Sequence, residues 1–299
     1  MSGRRPRGTP LRGATVVVTG AASGLGRGLA LAAARKGATV VMWDRDGDAL
    51  DAAVAEVDAA RTGPALAPVG RVVDVTDRDG VRRAAEEAID ATGGIDVLVN
   101  NAGVVSGKYL TDLDEADVRR TFEVNTLALY WVTQAFLAHM MERDRGRVVT
   151  LASASGLIGV AKLTDYSASK WAAIGFDESL RVELARRGSN VATTVVCPFY
   201  IDTGMFRGVK SKVDWLLPIL DPDHVVAKTV DAIERGKARV HLPPIVGTLP
   251  LMRMLPVRAF DAAAGMLGVN RTMDEFTGRR AAAAPSDPSP IPGPPTAEG

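Results

Sequence analysis

Tyr166 and Lys170 are four residues apart in Tyr166-Ser-Ala-Ser-Lys170. That spacing puts both on one face of a helix, about one turn apart, where a phenol and an ammonium can serve one reacting centre. A free tyrosine loses its proton only near pH ~10, and a fixed positive charge beside it favours the phenolate. Lys170 is therefore expected to lower the Tyr166 pKa and make the phenol a usable base. Ser153 ends the apolar run Arg147-Val-Val-Thr-Leu-Ala-Ser153, which reads as a strand. A helix packed beside the end of that strand would gather Ser153, Tyr166 and Lys170 around one substrate oxygen. Tyr-x-x-x-Lys also occurs by chance on solvated helix faces, so its meaning depends on the elements around it.

The first of those elements is Ala14-Thr-Val-Val-Val-Thr19, β-branched and apolar throughout, the pattern of a strand buried on both faces of a parallel sheet. It runs into Gly20-Ala-Ala-Ser23-Gly24-Leu25-Gly26 and a helical stretch to Lys36, closed by Gly37. Strand, glycine turn and helix together make a cradle for a pyrophosphate: the glycines let the backbone come close, and the helix N-terminus offers N–H groups to the charge. A second strand, Ala38–Trp43, ends at Asp44. A carboxylate there is placed to accept both hydroxyls of an adenosine ribose and to repel a 2′-phosphate, which favours NAD over NADP. Arg45 counts the other way, because a neighbouring arginine can hold that phosphate. Strand three is expected at Gly70–Asp74. Two readings of Asp74 and Val75 stand together: contact with an adenine ring from the strand end, or an N-terminal cap for the helix that begins near Asp77. Strand four, Ile95–Val99, leads into Asn100-Asn101-Ala102-Gly103, small polar residues beside a cofactor cleft.

One long helix is expected from Asp114 to Arg143, with Asn125 inside it. An amide on an apolar helix face is costly to bury unpaired, so Asn125 requires a polar partner or a held water. Strand five (146–153), a helix ending near Arg187, strand six (190–197), a helix over 223–235 and strand seven (238–242) continue the alternation. Residues 204–221 are long for a connection and carry Met205, Phe206, Trp215, Leu216, Leu217 and Ile219, which suggests a lid over an apolar pocket. Residues 245–269 are apolar with interspersed arginines. They read either as helices packed on the domain or on a partner subunit, or as an interfacial membrane element with Arg253 and Arg258 at the headgroups; the packing reading is preferred. The regular alternation predicts an α/β fold, a Rossmann-type doubly wound parallel sheet of seven strands with helices on both faces. A disordered N-terminus (1–12), one domain (13–280, with a C-terminal helical extension over 245–280) and a disordered Pro/Ala-rich tail (281–299) are expected.

Composition sets limits. With 299 residues and a formal net charge of +1 there is no basic field for nucleic acid. No run of eighteen apolar residues predicts a membrane-spanning helix, and no signal peptide is read, so the expectation is a cytoplasmic protein, with peripheral membrane contact left open. One cysteine, Cys197, forms no intramolecular disulfide and reads as an inert core residue. The three histidines have no ligand spacing, so no metal site is expected.

Taken together, Thr19-Gly20-x-x-x-Gly24-x-Gly26, Asp74, Asn100-Asn101-Ala102-Gly103, Asn125, Ser153 and Tyr166-x-x-x-Lys170 resemble the short-chain dehydrogenase/reductase family over residues 14–242. Cys197–Phe206, Leu242-Pro-Pro244 and Leu267–Arg279 are similar to its retinol dehydrogenase and 17-beta-hydroxysteroid dehydrogenase branch, and the Ala-, Arg- and Gly-rich composition looks like a bacterial homologue. The resemblance implies an oxidoreductase interconverting an apolar alcohol and its carbonyl by hydride transfer. It implies catalysis by Asn125, Ser153, Tyr166 and Lys170, with Asn125 holding a water that relays protons from Lys170. It implies cofactor contacts at Thr19, Gly20, Ser23, Gly24, Leu25, Gly26, Asp44, Arg45, Asp74, Val75, Asn101, Ala102, Gly103, Tyr166, Lys170, Pro198, Ile201 and Thr203. It also implies a homodimer or homotetramer built on the helices after strands four and five. Phe199 departs from the resemblance, since most members have glycine there, and puts the local backbone path in question. Two other readings remain: an NADPH-dependent carbonyl reductase, and a non-catalytic dinucleotide-binding protein at a lipid surface. The intact Tyr166 and Lys170 argue against the second.

Overall fold

The computed structural model describes residues 8–63 and 65–278. Seven strands form one sheet in the order β3-β2-β1-β4-β5-β6-β7, every pair parallel. They are β1 Thr15–Thr19, β2 Thr39–Asp44, β3 Val69–Val72, β4 Val97–Asn100, β5 Arg147–Leu151, β6 Ala192–Pro198 and β7 Arg239–Leu242. β1 and β5 are buried along their whole length; β1 is unbroken apolar and β-branched, whereas β5 also buries Arg147, which donates to the Thr193 carbonyl and Thr194 Oγ1. β3 lies at the edge, exposed, and begins and ends earlier than the expected 70–74.

The helices start where short side chains can cap them. Asp46 accepts from Ala49 N–H ahead of α2 (Gly47–Ala60), Asp77 from Gly80 N–H ahead of α3 (Arg78–Thr92), and Asp221 from His224 N–H ahead of α7 (Pro222–Arg235). Together with α1 (Gly24–Arg35), α2 and α7 cover one face of the sheet with Leu29, Leu50, Val57, Val226 and Val230. On the other face α3, α5 (Ala128–Glu142) and α6 (Thr164–Arg186) bury Val81, Phe136, Met140, Leu180 and Leu184.

Two expectations are corrected, and a third stretch takes the preferred form. The helix expected over 114–143 is two helices, α4 (Glu115–Phe122) and α5, joined by a π-helical turn at Glu123–Leu127 that contains Asn125. A π turn inserts one residue into the helical ladder and is common at functional sites. Residues 8–12, expected to be disordered, are fastened to the sheet. Thr9 N–H donates to the Ile233 carbonyl, Arg147 donates to Thr9 Oγ1 at 3.2 Å, and Leu11 is 1% exposed. The arginine-rich composition of the segment hid the single leucine that anchors it. The 245–269 stretch contains short helices, α8 (Leu249–Met252) and α9 (Val257–Met266), as the packing reading expected. Their inner faces join a third apolar cluster with Leu163, Tyr166, Tyr200 and Met273, while Leu251, Met254, Val257 and Met266 stay exposed. The disorder expected for 1–7 and 281–299, and the end of the Leu267–Arg279 resemblance, lie outside the described residues. Among the described residues no helix is long and apolar enough to cross a membrane.

Candidate active site

At the carboxyl ends of the strands, the reversal of strand order between β1 and β4 opens the crevice where such sheets bind ligands. The glycine turn after β1 is braced from below. Thr19 Oγ1 accepts the Asn101 and Ala102 N–H groups, each at 3.0 Å, and the Asn101 amide donates to the carbonyls of Thr19 (2.9 Å) and Gly20 (3.1 Å). Thr19 and Asn101 thus hold the turn with their side chains. Gly20 adopts a positive φ of 65°, and a Cβ on Gly26 would collide with the Gly20 carbonyl, so α1 packs against the turn only because residue 26 has no side chain. Ser23, Gly24 and Leu25 stay part-exposed at the head of α1, where the first N–H groups of a helix have no intrahelical acceptor. From the end of β2, Asp44 accepts from Ala22 N–H at 3.0 Å and from Asp46 N–H at 3.2 Å. Its carboxylate is thereby fixed beside the turn. This backbone cradle, closed to side chains and edged by a fixed carboxylate, fits a dinucleotide.

Asp74 stands further out. It accepts from Thr76 N–H (2.9 Å) and Thr76 Oγ1 (2.7 Å). Partial burial works to raise its pKa, but these hydrogen bonds and the nearby Arg45 prevail and hold it below the usual carboxylate value. The cap of α3 is Asp77, so of the two readings of Asp74 the helix cap is set aside. Val75 is buried and, with Thr19, Asn100, Ala102, Val124 and Val132, lines a small void under the crevice.

Ser153, Tyr166 and Lys170 come together as their spacing suggested. Ser153 begins a single 3₁₀ turn (Ala154–Gly156) and accepts from Ser155 N–H at 3.1 Å. Its side chain is hydrogen-bonded to Tyr166. Lys170 Nζ donates to the Leu151 carbonyl at 2.8 Å and lies 5.7 Å from the centroid of the Tyr166 ring. All three are nearly buried, at 8%, 5% and 5% exposure in chain order. Burial dominates the electrostatics. It pushes the Tyr166 phenol above its ordinary value, against the lowering effect of the Ser153 hydrogen bond. It also pulls Lys170 down to about 8. The expected lowering of Tyr166 by Lys170 is not among the effects that act on the phenol: desolvation raises its pKa, with Tyr200 adding to the rise, and only the Ser153 hydrogen bond lowers it, while the Lys170 ammonium is turned to the Leu151 carbonyl.

Asn125 has the polar partners its position demanded. Its Oδ1 accepts from Val104 N–H at 2.8 Å, and its Nδ2 donates to the Val104 carbonyl (2.9 Å) and Ser169 Oγ (3.0 Å). The amide is thus taken up in clamping the loop after β4 against α6. That loop comes close to the reacting groups at Gly103, where a Cβ would lie 3.4 Å from Asn125 Oδ1 and 3.6 Å from Lys170 Nζ. Past β6, Phe199 N–H donates to the Leu242 carbonyl at 2.7 Å, continuing the ladder beyond Pro198. The departure at Phe199 therefore leaves the backbone path extended. Ile201 then pairs with Leu220 and Thr203 N–H donates to the Ile201 carbonyl, so both ends of the expected lid are fixed. Cys197 is buried, with burial pushing its thiol up to about 12, an inert core group as expected. A cavity of about 430 Å³ lies at the opposite, amino ends of the strands and is lined by none of these residues.

Sequence reasoning missed two groups beside the phenol. Asp165 is buried and accepts from Ser106 Oγ (2.8 Å) and Thr121 Oγ1 (2.7 Å), tying three elements together next to Tyr166. Tyr200 donates to or accepts from Thr272 Oγ1 at 2.9 Å and packs edge-on against Phe206, which in turn packs edge-on against Tyr166. No local pattern marks either, because their partners are distant in sequence.

A parallel sheet in this order, a glycine cradle with a fixed carboxylate, and a buried Ser-Tyr-Lys cluster define a short-chain oxidoreductase. The chain belongs to the short chain dehydrogenase family, which matches it over residues 14–214, and it is an alcohol dehydrogenase/reductase of that family. Among curated relatives it is similar to epidermal retinol dehydrogenase 2 of Mus musculus, 39% identical over 270 residues that cover 90% of this chain and 86% of the relative. It is also similar to retinol dehydrogenase 10-B of Danio rerio, 37% identical and covering 92% and 88%. Among solved structures it is similar to a short chain dehydrogenase/reductase from Burkholderia phymatum in complex with NAD, at a TM-score of 0.73 and 27% identity over 82% of this chain and 95% of that one. A short-chain dehydrogenase from Streptomyces avermitilis superposes with a TM-score of 0.69 at 28% identity, covering 86% and 97%.

Proposed function

We propose that the protein oxidises an apolar alcohol, of retinoid, steroid or long-chain type, reversibly to its carbonyl with NAD. The observation that carries this is the convergence of Ser153, Tyr166 and Lys170 beneath an apolar cluster, next to a cradle edged by Asp44. Thr19, Gly20, Ser23, Gly24, Leu25 and Gly26 would hold the pyrophosphate, and Asp44 the adenosine ribose. Asp74 and Val75 would border the adenine, with Asn101, Ala102 and Gly103 along the crevice. Pro198, Ile201 and Thr203 would meet the carboxamide, and Tyr166 and Lys170 the second ribose. When bound, the nicotinamide supplies the hydride acceptor.

The residues of this chain do the rest. Tyr166 must first lose the proton that burial favours; as phenolate its Oη takes the alcohol proton, and Ser153 Oγ donates a hydrogen bond to the substrate oxygen as charge develops on it. Lys170, with a pKa near 8, exchanges the proton with solvent. The Asn125 amide, committed to Val104 and Ser169, would fix the loop after β4 beside Lys170. Tyr166→Phe should reduce turnover of any active alcohol by at least a hundredfold while NADH binding stays intact; equal rates for mutant and parent in an NADH-absorbance assay would sink the assignment.

NAD is preferred because the Asp44 carboxylate is pinned beside the glycine turn, where it would repel a 2′-phosphate. Asp44→Ala should bring the NADH and NADPH dissociation constants together; a parent that already binds both equally refutes Asp44 as the selector. Exposed Leu251, Met254, Val257 and Met266 beside Arg253 suit a substrate taken up from a lipid phase. Exposed Tyr130, Trp171 and Val182 on α5 and α6 suit a homodimer, measurable by sedimentation.

A further inference from the structure

The helix that carries Tyr166 and Lys170 begins without a side-chain cap. Leu163 stands at its N-cap, and Asp165 is the acidic residue of its first turn. A carboxylate there is favoured by the free N–H groups of the helix end, yet Asp165 reaches across to two other elements. Its Oδ2 accepts from Ser106 Oγ at 2.8 Å and from Thr121 Oγ1 at 2.7 Å. Ser106 belongs to the loop after β4, and Thr121 to the last turn of α4, just before the π turn. Asp165 is buried, and its Oδ1 has no hydrogen-bond partner. Burying a carboxylate oxygen unpaired is costly, so stability alone does not account for an aspartate at this place. The two hydroxyls that it gathers do.

The loop held in this way is the one that passes Lys170. A Cβ on Gly103 would lie 3.6 Å from Lys170 Nζ. Val104 is fastened by the Asn125 amide, and Ser106 by Asp165. The first anchor comes from the π turn, the second from the residue next to the phenol. Because Asp165 and Tyr166 are consecutive, one short piece of backbone places both the reacting group and the anchor. We propose that Asp165 is a positioning residue: by holding Ser106 and Thr121 on one oxygen, it fixes the loop after β4 and the end of α4 against Tyr166 and Lys170. This rests on the reading of Tyr166 as the base of a dehydrogenase. Asp165 acts through its neighbours and has no part in the proton transfer. A shift of about 1 Å between loop and phenol would misalign the alcohol with its hydride acceptor and cost about a hundredfold in rate. The glycine cradle is braced separately by Thr19, Asn101 and Asp44, so dinucleotide binding does not depend on Asp165.

The test compares full-length parent, Asp165→Ala, Asp165→Asn and Ser106→Ala, with NAD and either decanol or retinol. Asp165→Ala should lower kcat about a hundredfold while the NADH dissociation constant stays at the parent value. Asp165→Asn keeps one oxygen for both hydroxyls and should recover most of that loss. Ser106→Ala removes only the bond to the loop. It should lower kcat by less, and it carries the test if Asp165→Ala does not fold. Equal losses in Asp165→Asn and Asp165→Ala would make the charge responsible rather than the two bonds, and overturn the proposal. An unchanged kcat in Ser106→Ala, or NADH binding lost along with kcat, would overturn it too. Hydrogen exchange at the amides of residues 103–107 needs no turnover: it should quicken in Asp165→Ala and Ser106→Ala and keep the parent rate in Asp165→Asn. If the parent oxidises no alcohol, the dehydrogenase reading fails by itself, and faster exchange at 103–107 still supports Asp165 as the anchor. Unchanged exchange overturns it.

Discussion

At the residue scale, the Tyr166 phenol is held protonated by its burial and eased toward the phenolate by one neighbour, the Ser153 hydroxyl. Two effects of Ser153→Ala follow from the bonds that its one hydroxyl proton makes in turn, to Tyr166 in the free protein and to the substrate oxygen in the complex. Losing a donor to the developing oxyanion should lower kcat by about 10²- to 10³-fold. Losing the hydrogen bond that lowers the Tyr166 pKa should move the rising limb of the oxidation pH profile to higher pH. Stopped-flow rates across pH would check both; a lower rate with an unmoved limb would separate Ser153 from the tyrosine's ionisation. The sequence could bring these hydroxyls together by spacing, but the sign of the pKa shift depends on how much water is excluded, and that is set by Phe206, Tyr200 and the C-terminal segment.

Elements set the next level. α6 carries Tyr166 and Lys170 near its start, and further along it buries a second carboxylate. Asp177 is 1% exposed. Its Oδ2 accepts from Thr193 Oγ1 at 3.2 Å, and burial pushes its pKa from 3.8 up to about 6. A raised folded-state pKa means that the folded chain keeps a proton which the unfolded chain has lost. The stabilisation is therefore full below about pH 4 and disappears as pH rises through about 6. Asp177→Asn abolishes this titration. The variant should match the parent near pH 4 and exceed it by roughly 2–3 kcal/mol at pH 8, given about 1.4 kcal/mol per pKa unit. Urea melts at the two pH values decide it, and an equal difference at both would show that Asp177 does not titrate in this window. α4 and α5 teach the complementary lesson. Their apolar periodicity reads as one helix, and the interruption at Glu123–Leu127 has no signal except Asn125 itself, whose two partners, Val104 and Ser169, lie on other segments.

Across the whole molecule, the two ends of the strands have separate duties. The carboxyl ends carry the site. The amino ends are closed by residues 8–12, with Leu11 in the core and Thr9 bonded to Arg147 and to the Ile233 carbonyl. Leu11→Ala should cost about 2–5 kcal/mol of stability while kcat stays at the parent value, because the cavity opens far from Tyr166. A calorimetric scan paired with steady-state assays measures both, and a parallel loss of activity in the still-folded variant would deny this division.

By itself the sequence determined what is local. β-branched runs became buried parallel strands, the glycines at 20, 24 and 26 became the cradle, aspartates became helix caps, and the Tyr166–Lys170 interval became one helix face. Each depends on backbone sterics or on hydrogen bonds within a few residues, and those are written in consecutive letters. Only the tertiary structure decided the π turn around Asn125, the anchoring of Leu11, the carboxylate of Asp165 beside the phenol and the packing of Phe206 against Tyr166. It also reversed the expected pKa of Tyr166. These depend on contacts between residues tens of positions apart and on the water those contacts exclude, and desolvation is a property of the packed whole that no single stretch of sequence carries.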